Sequence, residues 1–154
     1  MRGPSPLSAV IFAVLGAVLL VSALVLATLG SFGFIAVASV GMFFVAAALI
    51  RRTNAELLAD APASRVADCL AREVARVATA SGVRIGEDEA VKQWRAMAAL
   101  TGANRSSMLQ DVEAGRPTEI DAISGAVARE GERRGVAAPL NQAMTLLVAS
   151  LAPR

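Results

Sequence analysis

Few side chains in this sequence are suited to acid–base, nucleophilic or metal chemistry. There is no histidine, Cys69 is the only cysteine, and Lys92 is the only lysine among 15 basic residues. His/Cys zinc sites, Ser-His-Asp triads and internal disulfides are therefore excluded, and no metal is expected. Cys69 adjoins the apolar stripe of Val66 and Leu70, a setting for buried packing rather than for a reactive thiol. Trp94 reads as core rather than as a stacking platform. The arginines alternate with acids along helical stretches, the pattern of a solvated face and not of a phosphate site. Carboxylates and hydroxyls remain, and their use depends on the elements that hold them.

Those elements divide sharply. The chain has 154 residues, 55% hydrophobic and 18% charged, yet residues 3–50 contain no charged side chain. The net charge of +2 excludes a strongly basic nucleic-acid binder, so no nucleic-acid partner is expected. Leu7–Leu29 is long enough as a helix to cross a hydrocarbon core of about 30 Å, and Phe34–Ile50 is about the shortest run that can. Gly30-Ser-Phe-Gly33 turns between them. Arg2 before and Arg51-Arg52 after place both ends on the cytoplasmic side. These residues predict a two-helix transmembrane hairpin over 1–50, with the lipid bilayer as partner and membrane as localisation, and a cytoplasmic helical domain over 51–154. The apolar stretch far exceeds the roughly 7–15 residues of a signal peptide. An alternative is that 1–50 is an out-of-frame start in an arginine-rich gene. No ionisable residue lies within either span, so the hairpin reads as an anchor and not as an ion or proton path.

From Ala55 the apolar spacing is helical throughout, and the fold class is all-α. Ser64–Ser81 places Val66, Leu70, Val74 and Val77 on one stripe, with Gly82 as the stop. Glu87-Asp88-Glu89 opens a helix that runs through Val91, Trp94 and Met97 to Leu100, acids at its positive end. Ser106–Glu113 is a short third helix. Thr118 reads as an N-cap with Asp121 three residues on, opening a helix with Ile120, Ile123 and Val127 inward that closes at Arg133-Arg134 before Gly135. Pro139 starts a last helix with Leu140, Met144, Leu147 and Leu151. Asp68 with Arg72, and Glu130 with Arg134, are predicted four-residue ion pairs.

The segment Asn104-Arg-Ser-Ser-Met-Leu-Gln-Asp111, followed by Gly115-Arg-Pro-Thr-Glu-Ile-Asp121, closely resembles the signature of the ketopantoate reductase (2-dehydropantoate 2-reductase) family in its C-terminal domain. Arg51-Arg-Thr-Asn-Ala-Glu-Leu-Leu-Ala-Asp60, Ala122-Ile-Ser-Gly-Ala-Val127 and Gly135-Val-Ala-Ala-Pro-Leu-Asn141 extend the likeness over about residues 48–152. Ser124 departs from it, since the family usually has Asn there. The resemblance implies an NADPH-dependent reductase of pantothenate biosynthesis, with a Rossmann domain before a helical one. It also implies that Ser107 binds the carboxylate or hydroxyl region of the substrate and that Glu119 is the active-site glutamate. Backbone N–H groups at two helix starts would then converge on an anionic keto acid. Ser at a helix start and Glu in a first turn are equally ordinary capping choices.

The departures are as informative. No G-x-G-x-x-G turn follows a strand, so no binding domain for NADPH is read in this chain. The family's catalytic lysine belongs on the helix before Arg51, where Phe34–Ile50 has neither Lys nor Asn, and Lys92 lies on a different helix. Losing a cation aimed at a developing alkoxide removes orders of magnitude in rate. The expectation is a reductase C-terminal domain, inactive alone, whose partner is a Rossmann-domain polypeptide or a second copy. The rival reading is a membrane-tethered, non-catalytic interaction module.

Overall fold

The computed structural model describes residues 42–151, which form helices and turns with no strand among them. The elements are α1 (Phe43–Ile50), α2 (Asn54–Ala59), α3 (Ala61–Ala80), α4 (Glu87–Leu100), α5 (Ser107–Glu113), a π-helical turn (Asp121–Gly125) continuous with α6 (Ala126–Arg134), and α7 (Pro139–Ala149). The helices predicted within 64–151 are present over nearly the predicted ranges.

The longest helix, α3, is the hub, packing against α1, α2, α4, α6 and α7. Its buried residues explain why one helix can touch so many others. Ala67, Ala71, Ala75 and Ala78 stand beside Leu70, Val74 and Val77, so neighbouring backbones approach closely over small side chains. Trp94 of α4 is fully buried in this core, with Met108 and Leu109 of α5, Val127 of α6 and Val148 of α7. Asp60 caps α3 by accepting from the Ala63 N–H at 3.1 Å. Pro62 stands in its first turn, where a missing N–H is harmless.

Two predicted packing details change. Cys69 is exposed, and Val66 keeps 36% of its surface, because the buried arc of α3 runs along the alanines with Leu70, Val74 and Val77 and leaves Val66 at its edge. Asp68 does not pair with Arg72. It accepts from the Trp94 indole N–H at 3.0 Å and from the Arg95 fork at 3.0 and 2.8 Å, while Arg72 reaches Asp88 at 2.8 Å. The buried indole needs an acceptor, and a bidentate arginine outcompetes an exposed pair along one helix. Glu130 and Arg134 do pair, at 2.8 Å.

The transmembrane hairpin requires a larger correction. No helix among the described residues is long and apolar enough to cross a membrane. The end of the second expected span is α1, an eight-residue helix with Phe43, Val45, Ala46, Ala47 and Ala48 buried. It packs on α3, α5 and α7, and the Phe43 ring lies 5.9 Å from that of Trp94. Most of its apolar surface is covered by protein, so lipid is not needed to explain its composition. Arg51, in the left-handed region at φ 54°, ends it. The membrane localisation fails with this span. The first span, Leu7–Leu29, lies outside the described residues.

Candidate functional site

The two residues singled out by resemblance are brought together. Ser107 Oγ donates to Glu119 Oε1 at 2.9 Å, and both side chains are exposed. Their presentation follows from their neighbours. Met108 and Leu109 are 1% exposed and Ile120 is 3% exposed, so the apolar residues beside each polar one fix it facing outward. Between them the chain reverses at Gly115, φ +62°, a conformation suited to glycine. Arg116 locks that reversal, its N–H donating to the Asp111 carbonyl at 2.8 Å and its Nε to the Asp111 carboxylate at 2.9 Å.

The start of α5 is held from below. The Asn54 side-chain amide donates to the carbonyl and the hydroxyl of Thr101, at 3.2 and 2.9 Å. The Asn54 and Ala55 N–H groups donate to the carbonyls of Asn104 and Gly102. The 101–104 turn is thereby docked on the start of α2, three residues before Ser107. Asn54 is fully buried and its Oδ1 has no partner. Sequence pattern alone assigns this asparagine no role; the signal it offers is Thr53-x-x-Glu56, a complete capping box that marks a helix start there.

The expected convergence of two helix termini on an anion is not what the structure brings together. Ser106, not Ser107, caps α5, accepting from the Leu109 N–H at 3.1 Å. Glu119 precedes its helix, and its carbonyl accepts from the N–H groups of Ala122 and Ile123. Thr118 is not the N-cap. The turn that follows opens as a π-helix from Ile120, where Asp121 accepts from Arg129 at 2.7 Å instead of completing a capping box.

Beyond that turn lies an open cleft of about 460 Å³ between α6 and α7, with Asp121, Arg129, Glu132, Gln142 and Leu146 in its lining. Gly125 lets the Asp121–Arg129 clasp form, since a Cβ there would stand 2.6 Å from Asp121 Oδ1. Neither Ser107 nor Glu119 lines this cleft. Lys92 is exposed on α4, and α1 contains no lysine. Among the described residues no group of His, Cys, Asp and Glu could hold a metal ion. Nor do they fit a dinucleotide, since none forms a strand from which a glycine-rich turn could lead into a helix.

Residues 37–152 match the family described as ketopantoate reductase PanE/ApbA, C terminal. The 2-dehydropantoate 2-reductase of Pyrobaculum aerophilum is 40% identical over 101 residues, which are 66% of this chain and 36% of that protein. That of Vibrio cholerae is 47% identical over 74 residues, 47% of this chain and 24% of the relative. The chain thus spans about a third or less of the curated relatives it matches. Among solved structures, D-mandelate dehydrogenase with NADH and anilino(oxo)acetate aligns with a TM-score of 0.70 at 26% identity, over 77% of this chain and 66% of that one. A probable 2-dehydropantoate 2-reductase of Bacillus subtilis aligns at 0.66 and 29% identity, over 77% of this chain and 38% of that one. The NADH in the dehydrogenase belongs to a protein that is more than this domain. The family match covers most of the chain, all the described helices and the Ser107–Glu119 pair, and on that ground this protein belongs to the ketopantoate reductase family through its C-terminal domain.

Proposed function

We propose that this chain carries the substrate-side half of a 2-dehydropantoate 2-reductase site and does not reduce ketopantoate by itself. The observation that carries the reading is the 2.9 Å hydrogen bond between Ser107 and Glu119. With its proton directed to Glu119, the Ser107 oxygen keeps its lone pairs for a substrate hydroxyl. Glu119 keeps Oε2, which has room for a second donor such as the hydroxyl of a hydroxy acid or a bound water. A substrate carboxylate would require Ser107 to turn its proton away from Glu119. In this role Ser107 binds and orients, and Glu119 holds or moves a proton at its free oxygen.

The pair needs a cation beside it to polarise the ketone. The described residues place no lysine beside it, and hydride delivery needs a dinucleotide they do not fit. A Rossmann-domain polypeptide is the partner we propose for that half of the chemistry. The test is to titrate the full chain with ketopantoate by calorimetry and then to follow reduced-nicotinamide absorbance after adding NADPH. Binding without oxidation is the expected result. NADPH oxidation by the chain alone would overturn the inactivity, and absence of keto-acid binding would overturn the assignment of the pair.

A further inference from the structure

The turn that follows Glu119 is wound wide. Asp121–Gly125 is π-helical, with Ser124 and Gly125 buried and the Ser124 hydroxyl without a hydrogen-bond partner. On its outer side Arg129 makes a two-point clasp, Nη1 donating to Asp121 Oδ1 at 2.7 Å and Nη2 to the Asp121 carbonyl at 3.0 Å. Among the described residues these are the side-chain hydrogen bonds that the turn receives. Both side chains are more than half exposed, so the clasp adds little to stability. Winding explains why they meet. A π-turn holds one residue more than an α-turn, so the eight residues from Asp121 to Arg129 wind as about seven. At about 100° per residue the two side chains then lie about 20° apart around the axis, where unbroken α-helix would set them about 80° apart. Arginine closes the remaining rise, because helical side chains lean toward the N-terminus. Outside the helix backbone, the three atoms nearest a Cβ on Gly125 would all belong to the clasp, at 2.6 and 3.2 Å on Asp121 and 3.3 Å on Arg129.

We propose that Arg129 is a positioning residue for Glu119, holding the turn in the register that aims its carboxylate at Ser107; this rests on the keto-acid reading of that pair. Glu119 stands directly on the turn, its carbonyl accepting from the Ala122 and Ile123 N–H groups at 3.0 and 3.2 Å. The 111–116 reversal brings Glu119 near Ser107, and the turn decides which way it faces. Rewound as α-helix, the turn gives up one residue, and what stands on it rotates by about 100° relative to α6. A rotation of that size takes Glu119 Oε1 out of reach of Ser107 Oγ, now 2.9 Å away. The clasp forms in one winding and not in the other, so it biases the equilibrium between them. An exposed two-point pair shifts such an equilibrium by up to about fivefold. Arg129 acts through Asp121, to which both of its hydrogen bonds go.

The test uses the full chain with Arg129→Gln and Gly125→Ala, and with Arg72→Gln as control, since Arg72 makes an exposed ion pair with Asp88 between α3 and α4. The first measurement is the carbon-13 resonance of the Glu119 carboxyl, assigned with Glu119→Gln and compared with Ser107→Ala, where its hydroxyl donor is gone. In R129Q and G125A the resonance should move toward its S107A position, and in R72Q it should not. Arg129→Lys keeps the charge but not the fork and should lie between. Ketopantoate affinity by calorimetry should fall by up to about fivefold in R129Q and G125A, while their urea midpoints stay level with that of R72Q. Alanine favours a helix over glycine, so affinity lost in G125A does not come from lost stability, and G125A also stands in for a misfolded R129Q. A resonance unmoved in both variants, a moved one with unchanged affinity, or midpoints well below that of R72Q overturns the proposal. If the unsubstituted chain does not bind ketopantoate, the reading of the pair fails, and the resonance alone decides whether the clasp aims Glu119.

Discussion

Glu73 and Glu119 are both carboxylates set beside the start of a helix, and the fold treats them in opposite ways. Glu73 is 5% exposed, and no cation lies against it among the described residues. Its oxygens accept the backbone N–H groups of Leu140 and Asn141 at 2.9 Å each and the Asn141 amide at 2.8 Å. It caps α7 from another helix and sits at the positive end of the α7 dipole. Glu119 is exposed, accepts one side-chain hydrogen bond, and ends beside solvent. A carboxylate saturated by its own fold can hold two elements together but has nothing left for a ligand. One engaged at a single oxygen is positioned and still has capacity. The contrast separates structural acids from the candidate functional one more clearly than residue type does.

The largest effect should come from breaking the saturated site. Glu73→Ala leaves two backbone donors and the Asn141 amide buried without acceptors, and should destabilise the domain by about 3 kcal/mol or more. Urea unfolding of the full chain measures this. A loss no greater than that of an exposed substitution would mean that α7 can be capped by water, and Glu73 would cease to differ from Glu119.

Glu130 lies between the two extremes. It is 4% exposed, accepts from Arg134 at 2.8 Å and from the Ser81 hydroxyl at 3.0 Å, and pairs with Arg133. The Arg134 hydrogen bond above all, helped by Ser81 and by the charges of Arg133 and Arg134, holds its carboxyl below the usual range against the opposing pull of burial. A folded-state value below the unfolded one stabilises above the unfolded pKa and is lost as pH falls through the folded value. Glu130→Gln should therefore lower stability by on the order of 1 kcal/mol at neutral pH. The difference from the unsubstituted chain should begin to shrink as pH falls through about 4.3 and vanish below the lowered value. A difference that stays constant across the acid range would show that hydrogen-bond shape, and not charge, is what Glu130 supplies.

How much of this is legible in the sequence follows from whether a feature is local. The helices announce themselves through period, caps and punctuation: Gly82, Gly115 and Gly135 are all at positive φ, each just beyond a helix. The Glu130–Arg134 pair is four residues apart and is readable for that reason. Glu73 capping α7 spans 67 residues and Asn54 on Thr101 spans 47, so neither leaves a pattern in a window of sequence. The same blindness misreads α1. An uncharged apolar run looks alike whether its cover is lipid or protein, and only the packing of Phe43 against Trp94 tells the two apart. Ser107 and Glu119 are found by resemblance, since alone each is an ordinary residue at a helix start. The length of the 111–116 reversal is what sets them 2.9 Å apart, and no periodicity encodes it.

The smallest effect on stability should come from the open site, and this is where the comparison can be made sharpest. Glu119→Gln keeps an amide oxygen for Ser107, replaces no buried atom and orphans no donor, so its unfolding free energy should stay within about 0.5 kcal/mol of the unsubstituted chain. Its keto-acid affinity should nonetheless fall roughly tenfold, because the charged acceptor at Oε2 is gone while the Ser107 contact survives. Ser107→Ala should give a comparable loss of affinity at equally small structural cost. Calorimetry with ketopantoate, run beside the urea titrations, reads both quantities on the same protein. An E119Q that binds as before would return Glu119 to the role of an ordinary residue at a helix start. One that unfolds as readily as E73A would make it a structural acid like Glu73, its exposure notwithstanding.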